Sequence, residues 1–137
     1  MRIKRILPPI RITKKDIIVR IKERKRMRIV PKKMMVNFLV NQLGINIKPE
    51  LYKMEVYQIL EDNLNLDTFD LYAENDILRF CQADIINVCH ASYKRVKELL
   101  YKKGITYKPF EYHFESRYCV YYLYGIYDIL SLNGERV

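Results

Sequence analysis

QADIINVCHASYKRVKELL, residues 82–100, breaks into two helical periods around Cys89-His90-Ala91. Ile85, Ile86 and Cys89 fall three to four apart on one face of the first period. Val96, Leu99 and Leu100 do the same in the second, which opens on Ser92, a residue whose hydroxyl suits an N-cap. Two such faces can pack on each other. The second helix then turns outward Ser92, Tyr93, Lys94, Lys97, Glu98 and Tyr101. That mixture of cation, hydroxyl and aromatic can reach phosphates and base edges.

Downstream, Gly104 is placed to end the second helix. ITYKPFEYHFESRYCVYYLY, residues 105–124, then repeats Tyr and Phe at two-residue spacing around Glu115-Ser116-Arg117. This alternation predicts a β-hairpin. In the following GIYDILSL, Ile126, Ile129 and Leu130 suit a short packed helix.

The pair of helices resembles the helix-turn-helix of DNA-binding proteins, with the second helix where the recognition helix of that family sits. Helix, turn, helix, hairpin and a short helix with a Tyr and an Asp-Ile is, further, the order of winged helix-turn-helix domains of the MerR and excisionase type. Two positions depart from the family pattern. Ile86 stands where a small residue is usual, which implies a wider crossing, and His90 stands where Gly is usual. Histidine tolerates a left-handed backbone better than most residues, so the turn can form. The resemblance transfers no base-contacting residue; it implies only the fold and double-stranded DNA as partner.

Charge is distributed to match such a partner. Residues 1–33 carry 14 of the 25 Lys and Arg against two acids, about +12 in a chain whose total is +9. The segment Glu50 to Asp84 is acidic, and Ser92 to Arg117 turns positive again. Two basic regions separated by an acidic one fit two contacts to a polyanion. MRIKRILPPIRI, residues 1–12, reads as an extended basic arm because Pro8-Pro9 breaks any helix. Its Arg2, Lys4 and Arg5, with Arg24, Lys25 and Arg26 further on, are candidate phosphate contacts; Lys102, Lys103, Lys108 and Arg117 are their counterparts in the second half. A solvated tail or an anionic membrane surface is the other use for such an arm.

Thr13 can cap KKDIIVRIKERKRMRIV, in which Ile17, Ile18 and Ile21 make a helical stripe while Ile17, Val19 and Ile21 alternate like a strand. Helix is the expectation. A second helix is expected over residues 32–43, with Pro31 at its first turn and Val36, Leu39, Val40 and Leu43 on its apolar face.

Here the chain echoes itself. Gly44-Ile45 with Lys48, Pro49 and Tyr52 recurs at an offset of sixty as Gly104-Ile105 with Lys108, Pro109 and Tyr112. Val36, Leu39 and Val40 match Val96, Leu99 and Leu100 at the same offset, and Asp16-Ile17-Ile18 echoes Asp84-Ile85-Ile86. Residues 56–60 parallel residues 126–130, the difference in offset being the hairpin. The expected architecture is therefore mainly α with a small β-hairpin wing, in tandem helix-turn-helix-like units: arm 1–12, a wingless unit 13–66 and a winged unit 67–137.

The two units differ in chemistry. Where the second has Tyr93, Lys94, Lys97, Glu98 and Tyr101, the first has Lys33, Met34, Asn37, Phe38 and Asn41. Met34 and Phe38 are poor choices for a solvated face; they suit an apolar seat for the other unit or for a second subunit, which keeps a homodimer among the expected partners. LVNQLGINIKPELYKMEVYQIL, residues 39–60, is also similar to the helix-extended-loop-helix modules of the SAP type, which bind DNA too, although its loop is two residues too long and lacks the second Gly. Between the units, Leu64, Leu66, Phe69, Leu71 and Tyr72 imply packing, with a short helix near Asp67 to Ala73 and a strand-like Ile77 to Phe80 able to pair with the wing.

Enzyme chemistry finds little support. Four scattered glycines make no phosphate loop, and no nucleophile has a recognisable base. Asp67, Asp70, Glu74 and Asp76 read as a solvated helical surface. Cys81, Cys89, His90, His113 and Cys119 lack the short paired spacing of a zinc site, and three cysteines give no disulfide framework. No run approaches the roughly 18 apolar residues of a membrane span, and the basic N-terminus lacks a signal peptide's apolar segment. The expected function is a double-stranded DNA-binding protein without cofactor, metal, small-molecule ligand or catalysis. It would act in the cytoplasm, on DNA, as a small transcriptional regulator or a replication or architectural accessory factor, of viral or plasmid origin. A structural or assembly nucleoprotein, or an RNA-binding protein stacking its tyrosines on unpaired bases, is the alternative.

Overall fold

The computed structural model describes residues 8–24, 30–114 and 117–136, with backbone alone for 109–122. Within them the chain is mainly helical with a small antiparallel sheet.

Helix α1 (Lys14–Arg24) starts on a reciprocal cap. The Asp16 N–H donates to Thr13 Oγ1 at 3.1 Å, and the Thr13 N–H donates to Asp16 Oδ2 at 2.9 Å. The bond from the Thr13 N–H favours the carboxylate and is the largest cause of an Asp16 pKa below the ordinary Asp value, with the Thr13 side chain next. A lowered folded-state pKa contributes stability above the unfolded value of about 3.9 and loses it as pH falls through the folded value. Thr13→Ala should therefore cost about 0.5–2 kcal/mol at neutral pH, read by thermal melting, and should narrow the gap between the Asp16 carboxyl pKa and its unfolded value in an NMR titration. Burial also separates the two readings of this segment: Ile17, Ile18 and Ile21 are inside, whereas Val19 is 53% exposed, as a helix requires and a strand forbids.

Helix α2 (Lys32–Asn41) follows Pro31 and joins α3 (Lys53–Asp62), on which it packs, through an extended segment. Gly44 has φ +66°, which lets the Ile45 N–H return to the Leu39 carbonyl at 2.9 Å. The apolar face of α2 differs from the expected one. Met35, Phe38 and Leu39 are buried, while Val40 is 43% exposed and Val36 only half-buried. The reason is tertiary. Tyr72, on α4 (Phe69–Glu74), meets the Phe38 ring edge to face at 4.6 Å and donates its hydroxyl to the Leu60 carbonyl at 2.6 Å. That contact rotates the buried stripe by about one position, so Phe38 is core and the outward seat expected there is filled from within the chain.

The second half follows the sequence more closely. Strand β1 (Arg79–Phe80) leads into α5 (Gln82–Cys89) and α6 (Tyr93–Lys102), then β2 (Lys108–Phe114), β3 (Arg117–Gly125) and α7 (Ile126–Leu130). The sheet order is β1-β3-β2, all antiparallel. Phe114 faces Arg117 across the hairpin, and Arg79 faces Gly125 at its far end, so β1 joins the hairpin as expected. Ile85, Val88 and Cys89 form the inner face of α5, with Ile86 half-buried where full burial was expected.

The expected units do not pack as two like pairs. Helix α5 packs on α6, but α1 packs principally on α5 and α2 on α3. The α1–α5 contact is fixed by a buried ion pair, Arg20 Nε to Asp84 Oδ1 at 2.9 Å, with Asp84 fully buried and Arg20 4% exposed. One apolar core runs from Ile10 to Leu132.

The arm is only partly an arm. Residues 8–12 are extended, yet Ile10 and Ile12 are buried and tied to the chain's other end. The Ile10 N–H donates to the Glu135 carbonyl, the Gly134 N–H to the Ile10 carbonyl, and Asn133 Nδ2 to the Ile12 carbonyl, at 2.8, 2.8 and 2.9 Å. Alternation along this strap leaves Arg11 outside.

Candidate nucleic-acid interface

The turn between α5 and α6 is built on His90, whose backbone is left-handed at φ 51°, ψ 40°. Its neighbour Ser92 caps α6: the Ser92 hydroxyl accepts from the Arg95 N–H at 3.4 Å. Val96, Leu99 and Leu100 hold α6 down on the core. The opposite face carries Tyr93, Lys94, Lys97, Glu98 and Tyr101, all exposed, Tyr101 at 89%. Lys97 Nζ lies 6.0 Å from the centre of the Tyr93 ring, a cation–π contact that keeps its charge available. Among the described residues Lys94, Arg95 and Lys102 have no ion-pair partner. An exposed, unneutralised face of this kind is suited to phosphates and base edges.

The remaining candidates fare differently. Lys103 Nζ is held by the Ser131 carbonyl at 2.9 Å and Glu135 Oε1 at 3.0 Å, so its charge serves the C-terminal segment instead of an external anion. Lys108 opens β2, exposed, in a cleft that Asp76, Arg79 and Asp128 also line. Arg24 is exposed at the end of α1. Arg2, Lys4, Arg5, Lys25 and Arg26 lie outside the described residues, as does the Arg117 side chain.

Two cations absent from the expected set join the site. Arg95 stands one turn after Ser92, and the strap brings Arg11 to the same cleft, of about 720 Å3, beside His90 and Ser92. Its apolar walls come from Pro8, Pro9, Ile10, Cys89 and Ala91. The outward position of Arg95 follows from helical spacing; its pairing with Arg11 depends on the strap's hydrogen bonds to residues 133–135, which no local pattern records.

Burial pushes the Cys89 thiol pKa up to about 11, which makes it an inert core side chain. Among the described residues no three His, Cys, Asp or Glu side chains converge as a metal site would need, and no helix is long and apolar enough to cross a membrane. Set against known proteins, the chain matches no family model, no curated protein and no solved structure at a significant level.

Proposed function

We propose that this chain is a non-enzymatic double-stranded DNA-binding protein that reads a groove with α6 of an α5–α6 helix-turn-helix, flanked by β2–β3 as a wing. The observation that carries this reading is the outward face of α6, where Tyr93, Lys94, Lys97 and Tyr101 are exposed over a buried Val96, Leu99 and Leu100. An α-helix fits the major groove, and a helix pinned on one side presents its other side as a rigid reading edge. The left-handed turn at His90 and the capped start at Ser92 fix the angle between the helices.

In this reading the first half is a scaffold. Its α2 buries Phe38 where a reading helix would expose a polar side chain, and α1 braces α5 through Arg20 and Asp84. The tandem relation rests on the spacing of the sequence matches, supported by the left-handed glycines, Gly44 and Gly104, that follow α2 and α6. A regulator or a replication accessory factor is the role that suits a small reader without a catalytic centre. The high exposure of Tyr93 and Tyr101 favours, as a second reading, stacking on unpaired bases.

Selection from random pools of duplex and single-stranded DNA and RNA tests these readings. An enriched duplex motif is expected. Duplex binding with no motif would make the protein an architectural or assembly factor, and retention of single strands alone would overturn the duplex reading. Truncation provides a further check. Removing residues 1–7 leaves the buried Ile10 and Ile12 in place and should flatten the salt dependence of duplex binding by about 0.9 in log–log slope for each phosphate no longer neutralised. An unchanged slope would make those residues a solvated tail.

A further inference from the structure

We propose that the cleft between the strap and the first turn of α6 is a phosphodiester clamp, in which Arg11 and Arg95 grip one DNA backbone phosphate beside the groove read by α6. The clamp rests on the DNA-binding reading and adds to it a fixed point outside the reading face.

Charge selects the ligand class. None of the described residues that line the cleft is acidic, and two arginines from elements far apart in sequence, Arg11 and Arg95, both line it. Neither has an ion-pair partner among the described residues, whereas Arg20, Arg79, Lys14 and Lys103 are each paired with a carboxylate. Asp16, on the other side of His90, is already occupied by Thr13. Guanidinium forks match phosphate oxygens two at a time, so a pair of them facing one cleft favours phosphate over a smaller or monodentate anion.

Shape selects the source. A cavity of about 720 Å3 is much larger than one phosphate group, and Pro8, Pro9, Ile10 and Ala91 give it apolar walls. Free inorganic phosphate would leave those walls against water. A phosphodiester carries a deoxyribose on each side, and the sugar faces can lie on them. Position agrees with this source, because Arg95 belongs to the helix that carries Lys94 and Lys97 and a bound duplex would bring its backbone past that end.

The strap makes the site rigid. Ile10 and Ile12 are buried on either side of Arg11, and their backbone groups are bonded to residues 133–135. Arg95 sits next to the buried Val96. Both cations are thus held by backbone that does not have to be ordered on binding, which lowers the entropic cost of binding.

The test uses the full chain and the variants Arg11→Gln, Arg95→Gln and the double variant. Both side chains are exposed, so melting temperatures should match the parent and confirm folding. With a random-sequence duplex, the log–log salt slope should fall by about 0.9 in the double variant, for the one phosphate the clamp neutralises, and by part of that in each single variant. In parallel, the dinucleotide pTpT is titrated against labelled protein by NMR. It should shift the amides of residues 10–12 and 90–95 in the parent and not in the double variant, and equimolar inorganic phosphate should shift them far less. If the parent binds duplex and none of the three variants changes the slope, the clamp is wrong and the DNA-binding reading stands. If the parent ignores duplex while pTpT shifts the cleft amides, the DNA-binding reading and the backbone assignment are both overturned, leaving a nucleotide site. If pTpT leaves the cleft amides unmoved, or moves them equally in the double variant, the clamp is overturned.

Discussion

Replacing Asp84 with Ala should destabilise the protein by about 3–5 kcal/mol, because it leaves the Arg20 guanidinium charged and 4% exposed, with only the solvent-facing Glu23 carboxylate, at 3.9 Å, as a partner. In a domain of this size that is on the order of 10–20 °C in melting temperature. The loss has a second source. Asp84 Oδ2 accepts from the Cys81 N–H at 3.2 Å, so the same substitution uncaps α5. Removing both charges at once, as Arg20→Met with Asp84→Leu, should cost less than the single Asp84→Ala change, since apolar pairs of similar volume can replace a buried ion pair. Urea denaturation of the parent, the single and the double variants measures this. A loss below about 1 kcal/mol for Asp84→Ala would show that the α1–α5 brace does not hold the molecule together.

Lys94→Ala together with Lys97→Ala should leave stability nearly unchanged and remove roughly 1–3 kcal/mol of discrimination between a selected duplex and random DNA for each base no longer read. The contrast is with the corresponding face of α2. Phe38→Ala should cost about 3–5 kcal/mol of stability, because the ring is buried against Tyr72 and its removal opens a cavity. Met34→Ala, at a half-buried site, should cost less. Assayed well below their melting points, both α2 variants should keep the sequence preference of the parent. Loss of preference in the α2 variants together with its retention in the Lys94/Lys97 variant would exchange the roles assigned to the two helices.

The face of α6 that carries this expectation needs no tertiary information to be found. Ser92 announces the helix start, the spacing of Val96, Leu99 and Leu100 sets its buried side, and His90 can take the left-handed conformation that the turn needs. Each signal acts within one or two turns of chain. The hairpin was legible for the same reason, since two-residue alternation is a local property.

Other features were set by contacts between residues distant in sequence. A helical stripe can be drawn on α2 through Val36 and Val40, or one position round through Met35 and Phe38; the ring of Tyr72 chooses the second. The echo between the two halves implies that α1 packs on α2, but Arg20 finds Asp84 and α1 braces α5. Lys103 reads as a phosphate ligand until Glu135 occupies it. Arg11 reads as one charge in a free arm until residues 133–135 pin its neighbours and place it in the same cleft as Arg95. Sequence by itself determined the helices, the turn, the hairpin and the exposed face of α6, because periodicity and capping are local. Which charges are neutralised inside the molecule and which remain for a ligand was decided only in the folded chain, because a charge is neutralised by whatever the fold brings within about 4 Å of it and no spacing along the sequence records that distance.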